Sequence, residues 1–245
     1  MKAMILAAGQ GTRLKPLTDA GPKALIEVAG TPVLEFVIRR LKAAGVDEVV
    51  INLHHKGEMI EEFLKKNGYF GVRFEFSREE ELLGTGGGLK KAAAFLGRQD
   101  FFLHNADVLS TVDLAGLYCV HRTAGALATL SVRERDSSRH LLFDKEGNLR
   151  GRKAADQPPV WAGLPAAEAD ELAFDGIHVV SPALFDRMTE TGAFPITGTY
   201  LRLAAEGASI RAFRSDASLW AEIGTQAKLD AAARLVAQRG LENFL

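Results

Sequence analysis

Apolar residues in the first half of the chain follow two alternating patterns. Short continuous apolar runs, of the length typical of buried strands, predict strands at residues 3–8, 46–53, 72–76 and 101–106. Apolar side chains at every third or fourth position between these runs predict helices at residues 32–45, 56–66 and 89–96. This alternation predicts a doubly wound, mainly parallel, Rossmann-like α/β sheet, in which a ligand binds beyond the carboxyl ends of the strands.

The second half of the chain predicts a less regular order of elements. It contains candidate strands at residues 127–132, 174–180 and 209–213, and a hairpin at residues 141–150 that turns around Gly147. A short helix is predicted after Pro182, and longer ones from about Phe194 to Ala205 and from Thr225 to about Gln238. Residues 154–169 are rich in Pro, Ala and Gly, which predicts a loop, either over a ligand site or on the surface.

Composition narrows the class of protein. The 245 residues suffice for one large α/β domain or two small ones, and 47% hydrophobic with 25% charged residues is an ordinary globular balance. Thirty basic against 31 acidic residues argue against a general binder of nucleic acid or membrane surfaces. Cys119 is the single cysteine, so no intrachain disulfide forms, and no apolar stretch approaches the roughly 20 residues of a spanning helix. We therefore expect a cytoplasmic protein.

The segment after the first strand has the chemistry of an anion-binding loop. Gly9 and Gly11 leave backbone N–H groups uncovered, and Arg13, Lys15 and Lys23 add three cations nearby. Leu14 stands where a dinucleotide-binding fingerprint requires a third glycine or alanine, and the spacing of a Walker loop is absent as well. The pattern therefore predicts a polyphosphate site that belongs to neither of those two classes.

This segment resembles the signature of the sugar-1-phosphate nucleotidyltransferases, GxGTRLxPxT followed by PK. The matching positions are Gly9, Gly11, Thr12, Arg13, Leu14, Pro16, Thr18, Pro22 and Lys23. The resemblance implies a GT-A-like fold with a small sugar-binding extension and no β-helix domain. It also implies that Ala8, Gly9, Gly11, Thr12 and Arg13 bind the nucleotide, with Arg13 and Lys23 as catalytic residues. A single domain is then expected over residues 1–245, mainly nucleotide-binding at 1–110 and sugar-phosphate-binding at 111–225, with a closing helix at 226–245.

A second glycine-rich segment, GTGGG at residues 84–88, directly precedes a predicted helix. Four glycines are costly in backbone entropy, at about 0.5–1 kcal/mol each relative to alanine, which predicts that something approaches this backbone closely. A flexible linker is the alternative. The resemblance implies that the nucleobase lies there, against Gly84, Thr85, Gly86 and Gly87.

Two carboxylates are candidates for a metal site. Asp107 follows a predicted buried strand, where it could be a turn former, a helix cap or a Mg²⁺ ligand. Trp220–Thr225, WAEIGT, resembles the family segment W-x-D-I-G-T, whose aspartate is the second metal ligand. This chain has Glu222 there, one methylene longer, so the resemblance implies Mg²⁺ on Asp107 and Glu222. His104, on the strand itself, is predicted to be packed rather than catalytic.

Five residues are candidates for the sugar phosphate. Arg139 and Lys153 are either solvated cations or phosphate-neutralising groups. Asn105 precedes Asp107 at the strand end. The resemblance of FDGIHV to a family FxGIxV segment implies that Asp175 and Gly176 face the sugar.

Together these segments imply the transfer of a nucleotidyl group from an NTP to a sugar 1-phosphate, with release of pyrophosphate. The compact length, the TGGGL segment and the lack of an E-K-P sugar motif resemble the short subgroup that uses UTP and N-acetylmuramate 1-phosphate in cell-wall recycling. Guanylyl transfer to mannose 1-phosphate, thymidylyl transfer to glucose 1-phosphate, or a non-catalytic nucleotide-sugar sensor are the alternatives. We expect no nucleic-acid or membrane partner, and a monomer or homodimer.

Overall fold

A computed structural model describes residues 1–166 and 168–245. The strands are β1 Lys2–Leu6, β2 Glu27–Val28, β3 Thr31–Pro32, β4 Glu48–Leu53, β5 Arg73–Arg78, β6 Phe101–Asn105, β7 Val108–Ser110, β8 Ala128–Arg133, β9 Arg139–Phe143, β10 Leu149–Ala154, β11 Val160–Trp161, β12 Asp170–Val180, β13 Ile210–Arg214 and β14 Trp220–Glu222. The α-helices are α1 Leu17–Ala20, α2 Val33–Ala43, α3 Gly57–Lys66, α4 Gly84–Lys91, α5 Ala93–Leu96, α6 Leu114–Ala124, α7 Ile196–Ala205 and α8 Gln226–Arg239. Short 3₁₀ helices lie at Thr12–Leu14, Lys23–Leu25, Gly68–Gly71, Pro182–Arg187 and Leu241–Phe244.

The chain is divided between two compact units. Unit 1 contains Met1–Leu82, His104–Val112 and Ser218–Leu245, and unit 2 contains Leu83–Leu103 and Asp113–Ala217. The predicted mixed α/β fold is confirmed. No helix within the described residues is both long enough and apolar enough to span a bilayer.

Unit 1 contains the parallel strands that the apolar runs predict. β1 pairs in parallel with β4, and β4 pairs in parallel with β5, in register from Lys2 opposite Glu48 to Leu53 opposite Arg78. Met4, Ile5 and Ile51 are fully buried, as expected for strands covered on both faces. The carboxyl ends of these strands therefore lie side by side at one edge, where β1 leads into the predicted anion loop.

A second layer of unit 1 is formed by residues that are far apart in sequence. β7 and β14 pair antiparallel, with Ser110 opposite Trp220 and Val108 opposite Glu222. Leu109 and Ile223 are fully buried in a core cluster that also includes residues of α2 and α8. Phe244 closes this cluster with an edge-to-face contact on Phe36, at 6.5 Å between ring centroids.

Unit 2 is built mostly from antiparallel strands. The 11-residue strand β12 pairs antiparallel with β9 through its first residues and with β8 farther along. β10 pairs antiparallel with β9 and β11, whereas β13 adds to β8 in parallel. The predicted hairpin is confirmed between β9 and β10, and Gly147 occupies its turn with φ +79°. A mainly parallel arrangement is therefore a property of unit 1.

Three element boundaries differ from the prediction. β1 ends at Leu6 rather than at Ala8, because the N–H of Ala7 bonds the side chain of Asn52 instead of a neighbouring strand. The loop predicted at residues 154–169 contains the short strand β11, which pairs with β10. Helix α4 begins at Gly84, so the glycines predicted to precede a helix form its first turns.

Candidate active site

The loop after β1 is fixed at its base and open at its tip. The N–H of Ala7 donates to Oδ1 of Asn52 at 2.7 Å, which anchors the first loop residue to β4. Gly9 is exposed, and a Cβ built on it would meet no atom within 4 Å. Gly11 has φ +64°, and its Cβ would lie 2.7 Å from the Thr18 methyl group. Gly11 is thus required by the fold itself, whereas the bare backbone of Gly9 faces open space.

Arg13 and Lys23 extend from the structured segments that follow this loop. Arg13 is exposed on a 3₁₀ helix whose next residue, Leu14, is only 2% exposed and anchors it. Its Nη2 atom lies 3.6 Å from a Cβ position built on Gly224, and Oε2 of Glu222 lies 3.8 Å from the same point. The guanidinium of Arg13 and the carboxylate of Glu222 therefore both lie close to Gly224.

The segments that contain Asp107 and Glu222 are brought together by the pairing of β7 with β14. The N–H of Ile223 donates to the carbonyl of Asp107 at 3.1 Å, and Glu222 lies opposite Val108 in the ladder. The buried neighbours Leu109 and Ile223 hold both short segments in the unit 1 core. The side chains of Asp107 and Glu222 keep 26% and 28% of their surface exposed, which leaves both carboxylates accessible.

The donor set fits a hard divalent cation that is shared with substrate. No group of three or more His, Cys, Asp or Glu side chains suited to a metal occurs among the described residues. Mg²⁺ is commonly held by only one or two carboxylates, with water and substrate phosphates supplying its remaining oxygens. Two accessible carboxylates in the same unit as the predicted anion loop meet this requirement.

Each of these carboxylates is paired with a lysine. The Nζ atom of Lys23 donates to Oδ2 of Asp107, and the Nζ atom of Lys228 donates to Oε1 of Glu222. The side chain of Lys23 is 14% exposed and that of Lys228 is 48% exposed. The first pair is thus shielded more from water than the second and is less weakened by solvent screening.

His104 is packed beneath this site, as predicted. It is 3% exposed, and its Nδ1 lies 2.8 Å from the carbonyl of Asn105. Burial lowers the pKa of His104 to about 4, although that carbonyl and the charge of Asp107 act in the opposite direction. The ring is therefore neutral at physiological pH and serves the packing of the strand end.

The glycines of α4 are packed against residues 192–194 of unit 2. A Cβ on Gly86 would overlap the ring of Phe194, and one on Gly84 would lie 2.7 Å from the Phe194 carbonyl. The N–H of Gly86 donates to that carbonyl at 2.9 Å, and the N–H of Phe194 donates to Leu83 at 3.0 Å. The close approach that the sequence predicts thus exists within the protein, and the nucleobase contact of Gly84, Gly86 and Gly87 stays a prediction.

Thr85 has a structural partner as well. Its Oγ1 accepts the N–H of Ile196 at 2.9 Å, the first residue of α7. A hydroxyl that accepts such an N–H satisfies one of the unpaired donors at the start of a helix. The side chain of Thr85 therefore ties α4 to α7, and its contact with nucleotide stays a prediction.

Asp175 lies in a buried hydrogen-bond network inside unit 2. It is 1% exposed, and its carboxylate accepts from Ser131 at 2.7 Å and from Ser215 at 2.6 Å. Arg133 donates to both carboxylate oxygens, at 2.8 and 3.2 Å. A sugar could reach this carboxylate only by breaking the network, and the predicted sugar contact of Asp175 stays a prediction.

The remaining sugar-site candidates occupy varied environments. Gly176 is buried at a register shift between β12 and β8, where its φ of +78° favours glycine. Lys153 pairs with Glu171 at 2.7 Å, and the exposed side chain of Arg139 has no hydrogen bond or ion pair with any residue that the structure describes. Asn105, the last residue of β6, is half-buried in unit 1.

Three residues of these sites were missed by sequence reasoning. Asn52 is a polar residue in the apolar strand EVVINL, and that interruption was the signal available. Lys228 and Phe194 belong to no sequence motif. Lys228 contacts Glu222 and Phe194 contacts Gly86, and only the folded chain brings these residues together.

Comparison with known proteins agrees with this geometry. The sequence matches the nucleotidyl transferase family over residues 2–142. It is 33% identical over 236 residues to the N-acetylmuramate alpha-1-phosphate uridylyltransferase of Neisseria meningitidis, covering 96% of this chain and 98% of that protein. It is 32% identical over 247 residues to the enzyme of the same name from Caulobacter vibrioides, covering 95% and 96%.

A solved structure supports the same fold. The UDP-glucose pyrophosphorylase complexed with UDP-glucose superposes with a TM-score of 0.78 at 19% identity, over 97% of this chain and 98% of that one. The family match, the two full-length relatives and the arrangement of the GxGTRL loop beside two carboxylates agree. The chain belongs to the nucleotidyl transferase family.

Proposed function

We propose that this protein transfers a uridylyl group from UTP to N-acetylmuramate 1-phosphate, forming UDP-N-acetylmuramate and pyrophosphate. The observation that carries the proposal is the contact of Lys23 with Asp107 and the proximity of Arg13 and Glu222 to Gly224, all in the unit that contains the Gly9 loop. The choice of UTP and of this sugar is supported by the names of the two relatives that match over nearly their whole length.

The reaction needs positioned charge rather than a protein nucleophile. An oxygen of the sugar phosphate attacks the α-phosphorus of UTP in line, and pyrophosphate leaves from the opposite side. The N–H groups from Ala8 to Thr12 bind the polyphosphate, Arg13 neutralises the departing pyrophosphate, and Lys23 serves the α-phosphate and the attacking phosphate. In the protein alone its ammonium group is bonded to the carboxylate of Asp107, so phosphate would compete with that carboxylate for Lys23.

Members of this family generally use a divalent metal ion, and we propose Mg²⁺. Asp107 and Glu222 would hold it. When bound, such an ion neutralises phosphate charge and helps to orient the reacting oxygens. Glu222 is one methylene longer than the aspartate that the resemblance implies, so the carboxylate reaches farther from β14.

For the sugar side we retain Asn105, Arg139, Lys153 and Gly176 as contacts and Asp175 as a positioning residue. Arg139 is the candidate with most freedom to meet an anion, whereas Lys153 would first have to leave Glu171. Residues 1–110 would bind mainly nucleotide and residues 111–225 mainly sugar phosphate. The backbone at Gly84–Gly87 would contact the base.

A pyrophosphate-release assay over a matrix of substrates tests the proposal. UTP, GTP and dTTP are each combined with the 1-phosphates of N-acetylmuramate, mannose and glucose. We expect the highest kcat/KM for UTP with N-acetylmuramate 1-phosphate. A higher value for GTP with mannose 1-phosphate, or for dTTP with glucose 1-phosphate, would replace the proposed substrates with those of the corresponding alternative.

Carboxylate variants separate a weak enzyme from a non-catalytic sensor. Asp107→Asn keeps the side-chain volume but loses the charge, and we expect turnover to fall at least about a hundredfold. Glu222→Gln should act similarly, whereas Glu222→Asp should retain a substantial part of the activity. Nucleotide binding without pyrophosphate release from any substrate pair would favour the sensor.

A further inference from the structure

Lys228 lies outside every motif discussed above, yet it contacts a candidate metal ligand. It is in the first turn of α8, and its ammonium group is bonded to the carboxylate of Glu222. Its backbone N–H donates to Oγ1 of the helix cap Thr225 at 3.4 Å. The side chain of Lys228 is therefore carried by a capped helix end rather than by a loose loop.

Both ends of this ion pair are anchored in one core cluster. Ile223, next to Glu222, is fully buried, and Leu229, next to Lys228, is 9% exposed in the same cluster. Packing on both sides limits the freedom of the two side chains, which reduces the entropy that an exposed ion pair usually loses on forming. The pair is a built feature of unit 1, although its partners retain contact with water.

Asp107, the other candidate metal ligand, is also bonded to a lysine. Lys23 pairs with Asp107, so an ammonium group occupies each carboxylate at which Mg²⁺ is proposed to bind. A carboxylate oxygen that already faces an ammonium group gains less from a further cation, because the two cations repel each other at short range. Each ammonium group contacts one of the two carboxylate oxygens, so each lysine weakens the binding of a metal ion at its carboxylate.

We propose that Lys228 is a built-in competitor for the metal site, which neutralises and orients Glu222 until a divalent ion displaces it. This inference rests on the proposed role of Glu222. It implies that the protein alone binds the ion weakly, and that the site is completed when substrate phosphates supply further oxygens. It also implies that Lys228 is released beside the site at the moment the ion is bound.

Titration of the nucleotide-free protein with Mn²⁺, followed by electron paramagnetic resonance, tests this competition directly. Lys228→Met should bind Mn²⁺ about two- to fivefold more tightly than wild type, the effect expected from losing a half-exposed ion pair. Lys66→Met is the matched control, since it removes an equal charge from an ion pair with Glu62 on α3 in the same unit. We expect no change in that variant.

Measurements in a Glu222→Gln background distinguish direct competition at the Glu222 carboxylate from a long-range effect of the Lys228 charge on Mn²⁺ binding. Glu222→Gln should weaken Mn²⁺ binding, and adding Lys228→Met to it should have no further effect. An equal gain with or without the Glu222 carboxylate, or an equal gain in Lys66→Met, would overturn the competition. If Glu222→Gln alone leaves Mn²⁺ binding unchanged, the metal role of Glu222 fails instead. Melting curves of all variants confirm that each is folded.

Discussion

Phe194 lies on the bare backbone of Gly86, where any Cβ would overlap its ring. The Phe194 carbonyl accepts the Gly86 N–H at 2.9 Å, so ring and backbone make contact together. This relationship changes the explanation of a glycine-rich segment that the sequence assigned to the nucleobase. Substitution of Gly86 and Phe194, singly and together, tests whether the glycine is needed for this contact.

We expect Gly86→Ala to lower the free energy of unfolding by about 1–3 kcal/mol, the usual result of overpacking a filled site. Shortening the opposing side chain should relieve the overlap, so Gly86→Ala is expected to cost less in a Phe194→Ala background than in wild type. Urea unfolding of the four proteins measures this coupling. If Gly86→Ala has wild-type stability but no longer binds UTP, the glycine serves the nucleotide and not Phe194.

Alanine substitutions of Gly9 and Gly11 should affect different properties, UTP affinity in the first case and stability in the second. Gly9→Ala meets open space in the protein alone, so the melting temperature should stay unchanged while UTP affinity falls. Gly11→Ala combines φ +64° with a contact of 2.7 Å to Thr18 and should destabilise the fold by about 1–3 kcal/mol. Calorimetry with UTP and a melting curve for each variant check this. Unchanged UTP affinity in Gly9→Ala would contradict close phosphate approach there.

Arg13→Met should reduce turnover by about a hundredfold or more if Arg13 has the proposed role of neutralising pyrophosphate. Stability should not fall, because the guanidinium is exposed and contributes little to packing. Pyrophosphate release under saturating substrates measures the effect. Arg39→Met, on α2 and paired with Glu35, is a control of equal charge change. Equal turnover in wild type and Arg13→Met would remove Arg13 from the catalytic set.

Asp175→Asn should destabilise the protein by about 3 kcal/mol, since it leaves Arg133 as a buried cation without its anionic partner. Asp170→Asn, on the same strand but exposed, is the matched control and should be close to neutral. Urea unfolding compares the two variants. An Asp175→Asn protein of normal stability with a raised KM for sugar phosphate would instead support the direct contact that the resemblance implies.

His104 should make stability depend on pH on the acidic side. Its folded pKa of about 4 is below the value of 6.5 expected in the unfolded chain, so its contribution is complete above pH 6.5. Between pH 6.5 and about 4 only the unfolded chain binds the proton, and stability falls by up to about 1.4 kcal/mol per pH unit.

Unfolding midpoints at pH 7 and pH 5 measure this effect. The difference should shrink in His104→Gln and persist in His55→Gln, whose histidine is exposed. A pH dependence that is the same in all three proteins would contradict the assignment to His104.

The sequence by itself determined the fold class, the family and the position of the anion loop. Each rests on information that is local in the chain: apolar periodicity sets strands and helices, and the spacing of Gly9, Gly11 and Arg13 sets the loop chemistry. Asp107 and Glu222 could each be identified as a candidate metal ligand from its own sequence segment. His104 could be predicted to be packed from its place on an apolar strand.

Only the tertiary structure decided which side chains meet. The ion pairs of Lys23 with Asp107 and of Lys228 with Glu222, and the contact of Phe194 with Gly86, depend on the pairing of distant segments. Apart from the hairpin of β9 and β10, the antiparallel order in unit 2 was equally hidden, because a buried strand has the same apolar pattern in either direction. Asp175 illustrates the physical reason: the motif located the carboxylate, but its hydrogen bonds with Ser131 and Arg133 exist only after β8 and β12 have paired.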